Sequence, residues 1–150
     1  MTVLVSACLT GVNCKYSGGN NLCPALMEYL RDKVVISVCP EVLGGLSTPR
    51  IPCEIVEGRV MNREGEDLDQ AFREGGERIL RALGDMRIDL AILQARSPSC
   101  GAGKIYDGSF SGKLKDGDGV FAAMLRARGV PIIASDVWVS SLGREESENA

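Results

Sequence analysis

Four short, largely apolar runs punctuate the chain: Val3–Ser6, Val34–Val38, Ile88–Leu93 and Val130–Ala134. None alternates polar with apolar, as a strand with one wet face would, so each reads as a strand buried on both faces. The stretches between them carry helical spacing. Cys23–Arg31 has Pro24 at a first helical position and puts Leu26, Tyr29 and Leu30 on one face. Glu66–Leu83 places Leu68, Ala71, Phe72, Ile79, Leu80 and Leu83 at helical intervals, with acidic residues at its start and Gly84 as a stop. Gly117–Arg128, with Asp118 near its start and Gly129 past its end, is a third helix. Strands alternating with helices need crossover connections, hence parallel pairing with helices on both faces. The expected fold is α/β: a small three-layer doubly wound sheet of about four parallel strands. The order 2-1-3-4 follows by analogy with Rossmann- and flavodoxin-like sheets.

Two segments break the alternation. Glu54–Met61 reads as an added hairpin turning at Glu57-Gly58, a flap on the main sheet. Lys104–Gly119 is glycine-rich and poor in apolar residues, a loop whose length suits a functional role. Residues 1–143 are expected to form a single α/β domain, with the region around Trp138 packed on the core and 144–150 a disordered tail.

Composition narrows the function classes. At 45 % hydrophobic and 25 % charged, the chain is that of a folded protein. A net charge of −3 with dispersed basic residues argues against a duplex nucleic-acid footprint. No run is long enough to span a bilayer, and the first residues lack a signal-peptide pattern, so a cytoplasmic location is expected. There is no histidine, which removes Cys–His catalysis and leaves Asp, Glu, Lys, Tyr or a thiolate as base. There are six cysteines, which outside a secretory context point to metal binding, redox chemistry or burial.

Position separates the cysteines. Cys8, Cys39 and Cys100 each follow the C-terminal end of an apolar run, the edge of a parallel sheet where ligands bind. Cys14, Cys23 and Cys53 share no such register and read as buried thiols, although Cys14 is close enough to Cys8 to join its site. Three converging thiols without histidine suit a soft metal centre. Spacing does not separate zinc from iron–sulfur, since no CxxC pair exists. Two further readings stay open: a thiol enzyme with Cys100 as nucleophile, and a zinc-binding module with Cys14 as fourth ligand. Glu41 lies two residues from Cys39, within reach of a bound water, and reads equally as a capping carboxylate. Arg50 reads as a ligand contact or a surface ion pair.

Four blocks carry a resemblance: SACLTGVNCKYSGG, VCPEVLGGLSTPRIPCEI, LQARSPSCG and IYDGSFSGKLKDGDGVFAAML. In this order they resemble the signature blocks of the thiouracil desulfurase family, formerly a bacterial domain of unknown function. The resemblance implies a [4Fe-4S] cluster, of a kind lost on preparation in air, held by Cys8, Cys39 and Cys100. Its fourth iron is open to the sulfur of a small thiolated molecule such as a thionucleobase. Water replaces that sulfur at carbon, so 2-thiouracil gives uracil and hydrosulfide without net redox change. Glu41 and Ser97 map onto the family's catalytic carboxylate and serine, with Ser97 the partner of Glu41. Lys15, Tyr16, Arg50 and Ser99 are the implied substrate contacts, and the Ser99 hydroxyl also suits a cap within its turn. The chain has Lys15-Tyr16-Ser17-Gly18 where family members commonly have Arg-Tyr-Asp-Gly.

Overall fold

The computed structural model describes residues 1–148. At its centre lies β1 (Thr2–Ser6), whose Val3, Leu4 and Val5 expose no surface. It pairs in parallel with β2 (Val34–Val38) on one side and β5 (Leu90–Leu93) on the other, and β5 pairs in parallel with β8 (Ile132–Ala134). The order β2-β1-β5-β8 is the expected 2-1-3-4 arrangement of the four apolar runs. With neighbouring strands about 4.8 Å apart, the ends of β2, β1 and β5 form one short edge.

Successive side chains of β1 face opposite ways, and each face receives helices. Val3 and Val5 pack with Leu26 and Leu30 of α1 (Pro24–Leu30) and with Trp138 of α5 (Ser135–Glu148). Leu4 packs with Ile79 of α3 (Asp69–Leu83) and with Phe121 and Leu125 of α4 (Val120–Ala127). Three layers result. Trp138 is on the core as expected, its ring 5.3 Å from that of Tyr29.

Several expectations need correction. β2 is not buried on both faces: it is an outer strand, and Val34 and Val35 are exposed. The hairpin β3 (Cys53–Val56) and β4 (Arg59–Asn62) turns at Glu57-Gly58 as expected, both at positive φ. It forms its own two-stranded sheet, the added hairpin expected, and packs through Val60 on Phe72 of α3. The segment 104–119 is not all loop. It contains a second hairpin, β6 (Lys104–Tyr106) and β7 (Leu114–Asp116), closed by Ile105 and Tyr106 pairing with Lys115 and Leu114. α3 starts three residues later than the periodicity suggests. Asp67 Oδ1 accepts the Asp69 N–H at 3.0 Å, so Glu66 and Asp67 form the turn before the helix. The last helix, α5, runs through Glu148. Residues 149–150 lie outside the described residues.

One contact fixes the element that follows β2. The short helix α2 (Pro40–Leu43) crosses α3 where Gly44 and Gly75 remove side chains from both surfaces. A Cβ on Gly75 would sit 1.8 Å from the Pro40 carbonyl oxygen, and one on Gly44 would sit 2.1 Å from that of Ala71.

Candidate active site

Beyond the C-terminal edge of the sheet lies a cleft of about 470 Å³, a size that suits a small ligand. Each wall begins where a strand stops. After β1 the chain enters a 3-10 turn, Ala7–Thr10, which carries Cys8 and ends at Gly11 in the left-handed region. After β2 come Cys39 and α2, which carries Glu41. After β5 comes Gln94 and then the turn 97–101 with Cys100. That turn is held from above by α4, whose free N-terminal amides bond to it. Val120 N–H donates to the Pro98 carbonyl and Phe121 N–H to that of Ser99, both at 2.8 Å. A Cβ at Gly119 would strike the Ser99 backbone at 2.6 Å, so glycine is required where α4 meets the turn.

Cys8, Cys39 and Cys100 all face this cleft, as do Glu41, Ser97, Ser99, Lys15, Tyr16 and Arg50. Every residue singled out in the sequence is therefore brought together. Cys14 and Cys53 also line the cleft, whereas Cys23 instead packs at the α1 side of the core.

Burial dominates the chemistry of the thiols. It pushes the Cys100 thiol up, outweighing the Ser6 and Ser99 hydroxyls that favour the thiolate. It raises Cys8 too, against the Asn21 amide, which donates to Cys8 Sγ at 3.6 Å. Burial and the adjoining Cys39 raise Cys14, and burial with the Glu41 charge lifts Cys53 to about 11.

Glu41 and Arg50 form a buried pair, not a surface one, with side chains 16 % and 8 % exposed. Arg50 Nε and Nη2 donate to Glu41 Oε1 at 3.2 and 3.1 Å, and Nη2 also donates to the Cys14 carbonyl at 2.9 Å. The other carboxylate oxygen, Oε2, accepts the Ser99 hydroxyl at 2.7 Å. The two serines thus exchange the contacts expected of them. Ser99 is the direct partner of Glu41. Ser97 caps the turn, its Oγ accepting the backbone N–H of Ser99 at 3.1 Å and of Cys100 at 3.0 Å. The hydroxyls lie 3.0 Å apart, which joins Ser97, Ser99 and Glu41 in one chain of hydrogen bonds.

Sequence reasoning missed several wall residues. Gln94 Oε1 lies 4.0 Å from Cys8 Sγ, and its place just after β5 is the same strand-end signal that marked the cysteines. Asn21 contacts Cys8 and also accepts from Lys15 Nζ at 3.2 Å. Glu54, Tyr106 and Phe110 come from the two hairpins.

Three cysteine thiols lining one cleft, in a chain without histidine, form a donor set that suits an iron–sulfur cluster, whose irons take cysteine thiolates as ligands. Cys100 does not suit a free nucleophile, since reactive thiolates occupy partly exposed electropositive settings and Cys100 is 4 % exposed.

Comparison with known proteins shows what the whole chain is similar to. A solved structure of a [4Fe-4S]-dependent thiouracil desulfidase, TudS, matches with a TM-score of 0.85 and 34 % identity over 97 % of both chains. An uncharacterized Bacillus subtilis (strain 168) protein, YbbK, is 37 % identical over 144 residues, 89 % of this chain and 95 % of that one. The family model described as 2-thiouracil desulfurase matches residues 3–136, nearly the whole sheet and every cleft wall. The chain belongs to the 2-thiouracil desulfurase family.

Proposed function

We propose that the protein is a [4Fe-4S]-dependent desulfidase acting on a small thiolated heterocycle such as 2-thiouracil. The observation that carries this reading is the meeting of Cys8, Cys39 and Cys100 with Glu41 in one cleft. Cys8, Cys39 and Cys100 hold the cluster, each from a different strand end. When bound, the cluster supplies a Lewis-acidic iron with an affinity for sulfur.

The other residues serve the exchange of sulfur for oxygen at carbon. Overall, thiouracil and water give uracil, hydrosulfide and a proton, and no electrons are gained or lost. Glu41 is the base: its Oε2 joins the hydrogen-bond chain of Ser99 and Ser97 beside Cys100, whereas Glu54 is tied to the turn of the second hairpin. Glu41 Oε2 takes a proton from the attacking water, and Ser99 and Ser97 carry it along their hydrogen-bond chain. Arg50 fixes the carboxylate by bonding the opposite oxygen. Lys15 and Tyr16 contact the substrate at the wall. Six unpaired cysteines suit a reducing compartment such as the cytoplasm. No helix among the described residues is long and apolar enough to cross a membrane.

Anaerobic protein should be brown and carry about four irons and four sulfides per chain. Cys8→Ala, Cys39→Ala and Cys100→Ala should each lose most of that iron. Glu41→Gln should keep the iron and lose hydrosulfide release from 2-thiouracil. A wild-type protein that stays colourless and iron-free after anaerobic reconstitution refutes the proposal.

A further inference from the structure

The chain has few aromatic residues: three Phe, three Tyr and one Trp. Phe72, Phe121 and Trp138 are buried in the apolar clusters, and Tyr29 packs against them. The remaining three, Tyr16, Tyr106 and Phe110, all line the cleft. Phe110 is the most unusual. It is half-buried but belongs to none of the three apolar clusters. Its backbone has φ 55°, a region that a phenylalanine enters only under constraint.

The constraint is visible. Glu54, on β3 of the first hairpin, reaches across to the turn of the second. Its Oε1 accepts the N–H of Gly108 at 3.0 Å and of Phe110 at 3.1 Å. The turn is seated closely as well: a Cβ on Gly108 would lie 2.7 Å from the Ile55 carbonyl oxygen. One carboxylate therefore clamps both sides of Ser109 and holds an aromatic side chain at the cleft wall that the core does not need.

We propose that Phe110 is a stacking platform for the planar ring of the substrate, and that Glu54 is the positioning residue that holds it there. The inference rests on the desulfidase reading and extends it to specificity: the cleft selects flat, conjugated thio-heterocycles over saturated ones. A planar ring gains dispersion and quadrupole attraction against the Phe110 face. A puckered ring of the same composition gains much less.

The test is equilibrium binding, by calorimetry on anaerobically reconstituted protein that carries Glu41→Gln throughout to stop turnover (wild type here meaning native Phe110 and Glu54), of 2-thiouracil and its non-planar 5,6-dihydro derivative. Wild type should bind the planar compound more tightly. Phe110→Ala should weaken that binding by roughly tenfold or more, with little change for the dihydro compound and no change in iron content. Phe110→Tyr should restore the preference. Glu54→Ala should lose the same preference and speed hydrogen exchange at the Gly108 and Phe110 amides. Glu54→Gln, whose amide oxygen can accept both bonds, should stay near wild type on both measures. A wild type that binds the two compounds alike, or a Phe110→Ala that binds as wild type does, overturns this inference alone. A wild type that binds neither compound overturns the desulfidase reading, and this inference with it.

Discussion

Glu41 has both carboxylate oxygens engaged, one by Arg50 and one by Ser99, in a setting largely closed to water. Its orientation is therefore set by two residues that do different things. Removing the guanidinium leaves a buried charge without its counter-charge, so Arg50→Met should destabilise the protein by about 3–5 kcal/mol in urea unfolding. Removing both charges, as Glu41→Gln with Arg50→Met, should recover part of that loss, and a double variant no more stable than Arg50→Met would contradict the pairing. Ser99→Ala leaves Glu41 Oε2 and the Ser97 hydroxyl each short of a partner, costing about 1–3 kcal/mol. It should slow turnover without loss of iron. The meeting of Cys8, Cys39 and Cys100 in one cleft was legible because a strand end is a place that sequence can mark. The pairing of Glu41 with Arg50 and the division between Ser97 and Ser99 were not. Which of two serines in SPSC faces a carboxylate depends on how the turn is rotated, and α4 fixes that rotation from the far end of a hairpin.

At the scale of elements, the crossing of α2 on α3 controls where Glu41 sits. Alanine is the better helix former, yet Gly75→Ala should destabilise by about 1–3 kcal/mol because its Cβ has no room beside the Pro40 carbonyl. It should also lower activity by displacing α2, and denaturant melts with assays on the same sample check both effects. Asp69 ties the start of α3 to the first hairpin. Burial raises its carboxyl, but the Arg73 hydrogen bond and the Val60 amide outweigh that and leave it below its ordinary value of 3.8. A group with a lowered folded value stabilises above the unfolded value and loses that contribution as pH falls through the folded one. Stability should therefore drop below about pH 4, and Asp69→Asn should flatten that acid limb in denaturant curves taken across pH. The four strands and the first hairpin could be read from apolar runs and the Glu57-Gly58 turn, while the sheet order came by analogy with doubly wound sheets. The second hairpin could not, since its strands have three residues each and mostly polar neighbours. Neither could α2, whose four residues are too few to show a period. The exposure of β2 depends on its outer place in the sheet, which a local apolar run does not encode.

Across the whole molecule, most residues of the three apolar clusters come from strands and helices, and Cys8 and Cys100 join two of those clusters from beyond the strand ends. The fold should therefore persist without its cofactor, and the cofactor should add stability by tying three strand ends together. Anaerobically loaded protein should melt several degrees above the iron-free form, with the same far-ultraviolet circular dichroism below both transitions. Equal midpoints would show that the cluster does not bridge these segments. The arrangement of ligands also sets a timetable for biosynthesis. A nascent chain that has exposed only β1 and β2 offers Cys8 and Cys39 but not Cys100, whose turn waits on β5 and takes its shape from the still later α4. On the proposed ligand set, the third cysteine takes its place only after nearly the entire polypeptide is translated, so cluster delivery is expected late, onto a folded scaffold.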